Sequence, residues 1–185
     1  MFEVRIQRAV DVLWAGGVVA YPTEAVYGLG CLPLAANAVA RLLTIKRRPV
    51  SKGLILIAAD LEQIQRMVRI PGGAIGEEIM DSWPGPVTWL LEAQPWVPRS
   101  LTGGRDTLAV RITDHALAAR LCERAGSALV STSANRSGQP PLRSALTVRL
   151  RLGREIDYLL PGPLGGRARP SEIRDGRTGQ VVRPS

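Results

Sequence analysis

The sequence predicts an α/β domain with a twisted, mostly mixed open sheet and flanking helices. Short apolar runs rich in β-branched residues alternate with stretches of helical periodicity. Several of these runs are followed at once by polar residues, which is typical of strands whose ends carry a ligand site. Two extended segments flank a Gly-Arg-Thr-Gly turn near the C-terminus and predict an antiparallel hairpin, so we expect a mixed sheet.

The 185 residues are enough for one sizeable core. Neither a repeat nor a linker divides them, so residues 1–185 are expected to form a single domain with no additional C-terminal domain. No run of about 18 apolar residues predicts a membrane span, and the first residues lack the apolar segment of a signal peptide. We therefore expect a cytoplasmic protein with no membrane association.

The first third of the chain alternates helix and strand. Residues 3–15 carry apolar side chains at helical spacing, and residues 18–21 form an apolar strand that Pro22 ends, because proline cannot donate to a β-ladder. The residues after Pro22 form either a ligand site or an ordinary proline turn into a second short strand. Residues 35–46 again have helical spacing, and residues 53–58 predict another buried strand.

The middle of the chain continues this alternation. Asp60 is expected to N-cap a short helix over residues 61–68, and a further helix is expected over residues 74–82. Residues 87–91 predict a strand entered through a Pro-Gly-Pro turn. In the strand predicted at residues 107–112, apolar side chains alternate with others, which assigns them to opposite faces.

The last third begins with Asp114, which is expected to N-cap a helix over residues 115–125 and to leave His115 at the surface. The remaining predicted elements are a strand at 128–130, a basic helix at 145–152 capped by Ser144, an extended stretch at 158–160, a Gly- and Arg-rich mobile segment at 161–169, and the hairpin strands 172–175 and 180–183.

The charge of the chain favours anionic partners. The formal net charge is +8, and the part that begins at Arg136 contains ten arginines against four acidic residues. Such a chain is attracted to RNA, nucleotides or phosphorylated ligands, although a generally basic, solvated surface has the same composition. Cys31 and Cys122 are too few for a disulfide framework and lack metal-ligand spacing, so reduced, buried thiols are expected.

The chain lacks the residues that several common types of catalytic site require. The chain has a single histidine, which excludes the usual zinc sets, and nothing supports a Ser-His-Asp triad. It contains neither a P-loop motif nor a dinucleotide fingerprint. The sequence therefore predicts no protein metal site and no covalent nucleophile.

Three polar clusters lie after predicted elements and are expected to converge. Thr23 comes after the first strand, and residues 131–135 (Ser-Thr-Ser-Ala-Asn) come after the strand at 128–130. The helix at 35–46 delivers Lys-Arg-Arg into a loop that continues to Lys52, the second of only two lysines. This run of cations exceeds what a helix C-terminus requires, so we interpret it as a phosphate clamp.

Arg111 interrupts an otherwise apolar strand. It points to the opposite face from its apolar neighbours. If that face is covered, the charge needs a partner or an anionic ligand, whereas on an open face Arg111 is a surface charge.

Several motifs together closely resemble the YrdC/TsaC family of threonylcarbamoyl-AMP synthases, over nearly the whole chain. The motifs are Tyr-Pro-Thr-Glu-Ala-Val-Tyr-Gly-Leu-Gly at 21–30, Lys-Arg-Arg-Pro at 46–49, Trp-Pro-Gly-Pro-Val-Thr at 83–88, Leu-Ala-Val-Arg at 108–111, Ser-Thr-Ser-Ala-Asn at 131–135 and Pro-Ser-Glu-Ile at 170–173. The resemblance implies a YrdC-like fold with a concave basic cavity. It implies an ATP-dependent nucleotidyltransferase that condenses L-threonine, bicarbonate and ATP to threonylcarbamoyl-AMP and pyrophosphate.

The resemblance also implies site residues. Lys46 and Arg48 would be catalytic, offsetting charge on the triphosphate. The nucleotide would be bound by Lys46, Arg48, Ser133, Asn135, Arg143 and Arg183. Threonine would be bound by Thr23, Lys52, Arg111, Ser133 and Ser171, with Arg111 pairing with its carboxylate. Mg²⁺ is expected with ATP, held mostly by the phosphates because no carboxylate cluster is evident.

The expected partners beyond the substrates are threonylcarbamoyl-transfer proteins, which modify the adenosine beside the tRNA anticodon, and tRNA or double-stranded RNA itself. The main alternative is a basic RNA-binding maturation factor without catalysis, which shape readout of duplex RNA would allow despite few aromatic residues. A third possibility is carbamoyl transfer from carbamoyl phosphate, since a related domain occurs in hydrogenase-maturation enzymes.

Overall fold

The computed structural model describes residues 2–184, and ten strands within that range form one mixed sheet. In chain order they are β1 (Val19–Pro22), β2 (Tyr27–Cys31), β3 (Ile55–Ala58), β4 (Val68–Arg69), β5 (Val87–Ala93), β6 (Thr107–Ile112), β7 (Leu129–Ser133), β8 (Tyr158–Leu159), β9 (Glu172–Asp175) and β10 (Val181–Arg183). Their order across the sheet is β10-β9-β5-β6-β3-β7-β2-β1-β8, and β4 pairs with β5 beside this path.

Three strand pairs are parallel, namely β1 with β8, β3 with β6, and β5 with β9. The other pairs are antiparallel, including the C-terminal hairpin of β9 and β10. The structure thus confirms the predicted α/β fold with a mixed sheet. The second short strand after Pro22, which the sequence leaves as an alternative, is β2.

Helices cover both faces of the sheet. They are α1 (Phe2–Trp14), α2 (Ala36–Lys46), α3 (Gly73–Asp81), α4 (Arg99–Thr102), α5 (Ala116–Ala125) and α6 (Ala145–Leu152). One core cluster lies between the sheet and α1 and α5, and the larger cluster includes residues of α2 and α6. Within β3, Leu56 belongs to the larger cluster and Ile57 to the smaller, because successive strand side chains point to opposite faces.

Burial on both faces explains why the strands read as continuous apolar runs rather than as alternating ones. Packing also explains why residue 30 in β2 is a glycine. A Cβ there would lie 2.5 Å from the Val130 carbonyl oxygen and 2.8 Å from the Tyr21 ring. Only glycine therefore lets these neighbouring strands and the ring pack together.

One predicted helix is wrong. Residues 61–67 form turns and Val68 begins β4, although Ile64 and Met67 are buried as their pattern indicates. The Asp60 carboxylate accepts from the Gln63 backbone N–H, which supports the first turn. The Gln63 side chain then donates to the Cys122 carbonyl at 3.1 Å and ties the segment to α5. Tertiary contacts and strand pairing outweigh the helical spacing.

The start of α5 also differs from the prediction. The N-cap is His115, whose Nδ1 accepts from the Ala118 N–H, and not Asp114. His115 is only 8% exposed, so the expected surface position is wrong. The Asp114 carboxylate instead pairs with Arg167 at 2.9 Å.

Two further predictions concern the strand β7 and the cysteines. β7 continues to Ser133, so part of the predicted polar cluster at residues 131–135 lies within a strand rather than after it. Cys31 and Cys122 are free and buried, as expected.

Over residues 2–184, no helix combines the length and the apolar content that crossing a bilayer requires.

Two leucines near α2 test this packing. Leu42 is fully buried, whereas Leu34, just before the helix, is 59% exposed. Leu42→Ala should lower the free energy of unfolding by about 2–5 kcal/mol, because it removes buried methyl groups and leaves a cavity. Leu34→Ala is the matched control and should change it by less than about 0.5 kcal/mol. Urea denaturation measures both, and equal effects would contradict the assigned core.

Candidate active site

A cavity of about 220 Å³ lies beside the ends of β1 and β7 and the beginnings of β2 and β9. Six of the predicted site residues line it. They are Thr23, Arg48, Arg111, Ser133, Ser171 and Arg183. Strand pairing brings them together from distant parts of the chain, because β1, β2 and β7 are neighbours and β9 and β10 follow β5 across the sheet.

The Gly- and Arg-rich segment 161–169 contributes Arg167 and Arg169 to the cavity lining, and two backbone hydrogen bonds join it to the residues after β1. The Gly165 N–H donates to the Thr23 carbonyl at 3.1 Å, and the Arg167 N–H donates to the Glu24 carbonyl at 3.0 Å. A Cβ on Gly165 would lie 2.9 Å from the Glu24 Cα. A glycine is therefore required where the segment crosses the end of β1.

Arg111 is buried, and its charge is neutralised by a buried partner. Both of its Nη atoms donate to the Glu24 carboxylate, one at 3.1 Å, and the Thr113 hydroxyl donates to the same carboxylate. Arg111 and Glu24 are 7% and 6% exposed. The sequence leaves a partner, an anionic ligand or solvent as alternatives, and the structure supplies a buried bidentate ion pair.

Burial alone would raise the pKa of the Glu24 carboxyl. The charge of Arg111 and the hydrogen bonds from Arg111 and Thr113 outweigh it and lower that pKa to about 2. The pair therefore stays charged throughout the neutral range and fixes the position of the guanidinium in the cavity wall.

Arg48 and Arg183 are cations of a different kind. Arg48 donates from Nε and Nη2 to the Gly53 carbonyl at 3.1 and 3.0 Å, and Arg183 donates to the Ser171 carbonyl at 2.7 Å. Within residues 2–184, neither has a carboxylate partner. Burial and nearby arginines lower the pKa of both guanidinium groups. Cations held in this way are arranged to receive an anion.

Lys46 does not line the cavity. It is 3% exposed and lies beneath the end of β7, where its ammonium donates to the Ser133 carbonyl, the Asn135 carbonyl at 2.9 Å and the Asn135 Oδ1 at 3.1 Å. Burial, and then the charge of Arg48, lowers its pKa to about 8. All three ammonium hydrogens are used, so in this structure Lys46 holds the strand end that presents Ser133.

Asn135 is connected to the cavity through its neighbours. Its Oδ1 accepts from the Ser133 hydroxyl at 2.6 Å, while the residue itself lines a second cavity together with Arg47 and Ser137. Arg143 and Lys52 are exposed and line neither cavity. Lys52 lies at the end of the 3₁₀ helix Val50–Lys52.

Among the charged residues that line the cavity, three have no role assigned from the sequence, namely Glu24, Arg167 and Arg169. Glu24 directly follows Thr23, and an acidic residue at the end of an apolar strand is the signal that indicates it. The two arginines lie in a segment without periodicity, which contains no such signal.

The cavity lining offers arginines and hydroxyl groups, and it includes no histidine or cysteine. Within residues 2–184, no three His, Cys, Asp or Glu side chains form a group that could hold a metal ion. Such a set of cations and donors binds and orients phosphate and carboxylate groups and stabilises charge that develops on them.

The comparisons with known proteins agree with one another. A family model for Sua5, YciO and YrdC proteins, described as telomere recombination, matches residues 11–185. The chain belongs to the Sua5/YciO/YrdC family.

Relatives within this family are similar over nearly their whole length. The threonylcarbamoyl-AMP synthase of Halorhodospira halophila is 55% identical over 179 residues, which are 97% of this chain and 94% of the relative. The threonylcarbamoyl-AMP synthase of Nitrosococcus oceani is 54% identical and is covered to 97%, as is this chain.

Solved structures of the family share the fold. P. abyssi Sua5 complexed with L-threonine has a TM-score of 0.87 at 35% identity over 94% of this chain and 51% of that chain. E. coli YciO has a TM-score of 0.84 at 28% identity over 99% of this chain and 89% of that chain. This chain thus spans about half the length of the P. abyssi Sua5 chain.

The Glu24–Arg111 pair predicts how stability depends on pH. Because the pKa of Glu24 is lowered from 4.5 to about 2, its contribution is complete above pH 4.5 and is lost as the pH falls toward 2. The difference corresponds to about 3 kcal/mol. Urea unfolding between pH 6 and pH 3 should show a steep loss in the wild-type protein and a shallower one in Glu24→Gln, which starts from a lower stability.

Glu92→Gln is the control for this measurement. Glu92 pairs with Arg69 at 3.3 Å, and the side chains are 50% and 65% exposed. A solvent-exposed pair contributes little, so this variant should keep the wild-type pH profile. Parallel profiles for the wild type and Glu24→Gln would show that the buried pair does not govern acid stability.

Proposed function

We propose that this protein is an L-threonylcarbamoyladenylate synthase, which condenses L-threonine, bicarbonate and ATP to threonylcarbamoyl-AMP and pyrophosphate. The observation that carries the proposal is the cavity itself. There Arg48 and Arg183, which have no acidic partner within residues 2–184, lie beside hydroxyl groups and a buried Arg–Glu pair. Family members named threonylcarbamoyl-AMP synthase at 54–55% identity over the whole chain support it. So does the related P. abyssi Sua5, which was solved with L-threonine.

ATP would bind through its phosphates. Arg48 and Arg183 would turn from backbone carbonyls toward the triphosphate. Its negative charge would offset the burial and the repulsion between arginines that lower the pKa of both groups. Ser133, on the strand end that Lys46 holds, would donate to a phosphate oxygen once its hydroxyl turns away from the Asn135 Oδ1. Mg²⁺ would enter with ATP and be held mainly by phosphate oxygens. The cavity lining supplies cations and hydroxyl groups, and its carboxylate, Glu24, is already paired with Arg111.

Lys46 would act in one of two ways. In the structure it positions Ser133 and Asn135, and its ammonium reaches no cavity surface. If it also contacts the triphosphate directly, one of its three hydrogen bonds has to open. Arg143, which is exposed, would touch the nucleotide only at the outer rim.

L-Threonine would lie between Thr23, Arg111 and Ser171. Each Nη atom of Arg111 keeps a second hydrogen beyond its bond to Glu24, so the threonine carboxylate would share the guanidinium with Glu24. The Ser171 hydroxyl, which lies in the cavity lining 3.0 Å from that of Thr88, would also contact the substrate. Lys52 would contribute only through long-range charge from its exposed position.

The reaction then follows from positions and charge. The threonine amine and bicarbonate give a carbamate with loss of water, and a carbamate oxygen attacks the α-phosphorus of ATP. The new O–P bond forms as the bond from the α-phosphorus to the bridging oxygen breaks, and pyrophosphate leaves with that electron pair. The protein forms no covalent bond, and its arginines offset the charge that builds on the phosphates. Threonylcarbamoyl-transfer proteins would pass the product to the adenosine beside the tRNA anticodon.

A pyrophosphate-release assay tests the proposal. With ATP and bicarbonate, L-threonine should trigger release, whereas omission of any one substrate should prevent it. Arg48→Gln should lower kcat/KM by at least about 100-fold, which corresponds to about 2.7 kcal/mol of transition-state stabilisation.

Arg66→Gln is the matched control, since Arg66 is exposed and lies outside the cavity lining. It should retain wild-type kinetics. Release that ignores threonine, or an Arg48→Gln enzyme with normal turnover, would refute the proposal. A protein that only binds RNA would release no pyrophosphate under any of these conditions.

A further inference from the structure

Helix α6 carries apolar side chains on two opposite faces. Val148 and Leu152 are buried against the core, at 0% and 3% exposure. Leu146 and Leu150 are 66% and 74% exposed. Each pair is four residues apart and forms a stripe, and the two stripes lie on opposite sides of the helix. Packing on the sheet requires only the first stripe, so the fold leaves the second without a partner.

Arginines border the exposed stripe. Arg149 lies on α6 next to this stripe, and Arg154 lies in the turn just after the helix; both are exposed and both line the adjacent groove. Neither has an acidic partner within residues 2–184, because the two nearby acids, Glu155 and Asp157, are already paired with other arginines. The exposed stripe is thus a pair of leucines in a positively charged rim, which we call the α6 face.

A groove lies beside the α6 face and adds a concave surface to it. Its volume is about 620 Å³, and Leu146, Ile156 and Tyr158 supply apolar walls. It borders β8, the last strand of the sheet, which has only β1 as a neighbour among the described strands. The groove is separate from the candidate active site, since no residue lines both.

We propose that the α6 face and this groove dock another protein, through a helical surface that carries apolar side chains flanked by acidic ones. An apolar centre within a charged rim is the usual anatomy of a protein interface, and the rim charge requires a negative partner. RNA would satisfy the arginines but would place polar groups over two leucines. The proposal is independent of the proposed catalytic function.

A synthetic peptide of about 20 residues, long enough to be helical, tests this proposal. It carries leucines along one face with glutamates on both sides, and a scrambled peptide of the same composition serves as its comparison. Fluorescence anisotropy should show binding of the patterned peptide to the full chain. Leu146→Ser/Leu150→Ser should weaken it by at least about tenfold, since central apolar anchors dominate interfaces.

Charge reversal supplies a second, independent variant. Arg149→Glu/Arg154→Glu should abolish binding of the glutamate peptide and create binding of a peptide with lysines in the same positions. Val4→Ser/Leu34→Ser removes apolar side chains of similar exposure, 58% and 59%, elsewhere on the surface and should leave binding unchanged. Circular dichroism and thermal unfolding establish that each variant is folded.

Three results would overturn the proposal. One is no binding of the patterned peptide, or equal binding of the scrambled one. The second is tighter binding of an RNA duplex that depends on the arginines and not on the leucines. The third is the same arginine-only dependence for vesicles of phosphatidylserine and phosphatidylcholine. None of these results bears on pyrophosphate release, so failure here is distinguishable from failure of the catalytic proposal.

Discussion

The confinement of several arginines around one small cavity is the constraint on which this structure depends. Like charges around one cavity repel one another, and water screens Arg111 and Arg48 less because they are buried and half-buried. The fold accommodates these charges in two ways. Arg111 is neutralised by Glu24 in a buried ion pair, whereas Arg48 and Arg183 are held by backbone carbonyls and keep their charge available. An anion of high charge density, such as a triphosphate, would complete the set.

The strands position these groups because their ends meet, but individual hydrogen bonds decide which groups face the cavity. Lys46 uses its three hydrogens below the end of β7 and so presents Ser133 rather than itself. The segment 161–169 is joined to Thr23 and Glu24, just after β1, by two backbone hydrogen bonds. Binding of substrate would therefore exchange existing hydrogen bonds for new ones, with little movement of the sheet.

Apolar periodicity predicts the sheet and most helices, because it is a local signal. Local patterns also single out Thr23, Arg48, Arg111 and Ser133, whereas Ser171 and Arg183 follow only from the resemblance to the family. Prediction from the sequence fails where distant contacts decide the outcome. Residues 61–68 have helical spacing but are drawn into turns by Asp60, Gln63 and pairing with β5. The pairing of Arg111 with Glu24 joins residues 87 positions apart, and nothing local indicates it. Lys46 has the sequence context of a phosphate ligand, and no pattern reveals that its ammonium is turned toward Asn135.

Titration calorimetry with a non-hydrolysable ATP analogue and Mg²⁺, with and without L-threonine, tests most directly whether this cavity holds both substrates. We predict one nucleotide site per chain, affinity that rises when threonine is present, and loss of binding in an Arg48→Gln/Arg183→Gln variant that remains folded. Nucleotide binding that is unchanged in that variant and indifferent to threonine would place the site elsewhere and contradict the account.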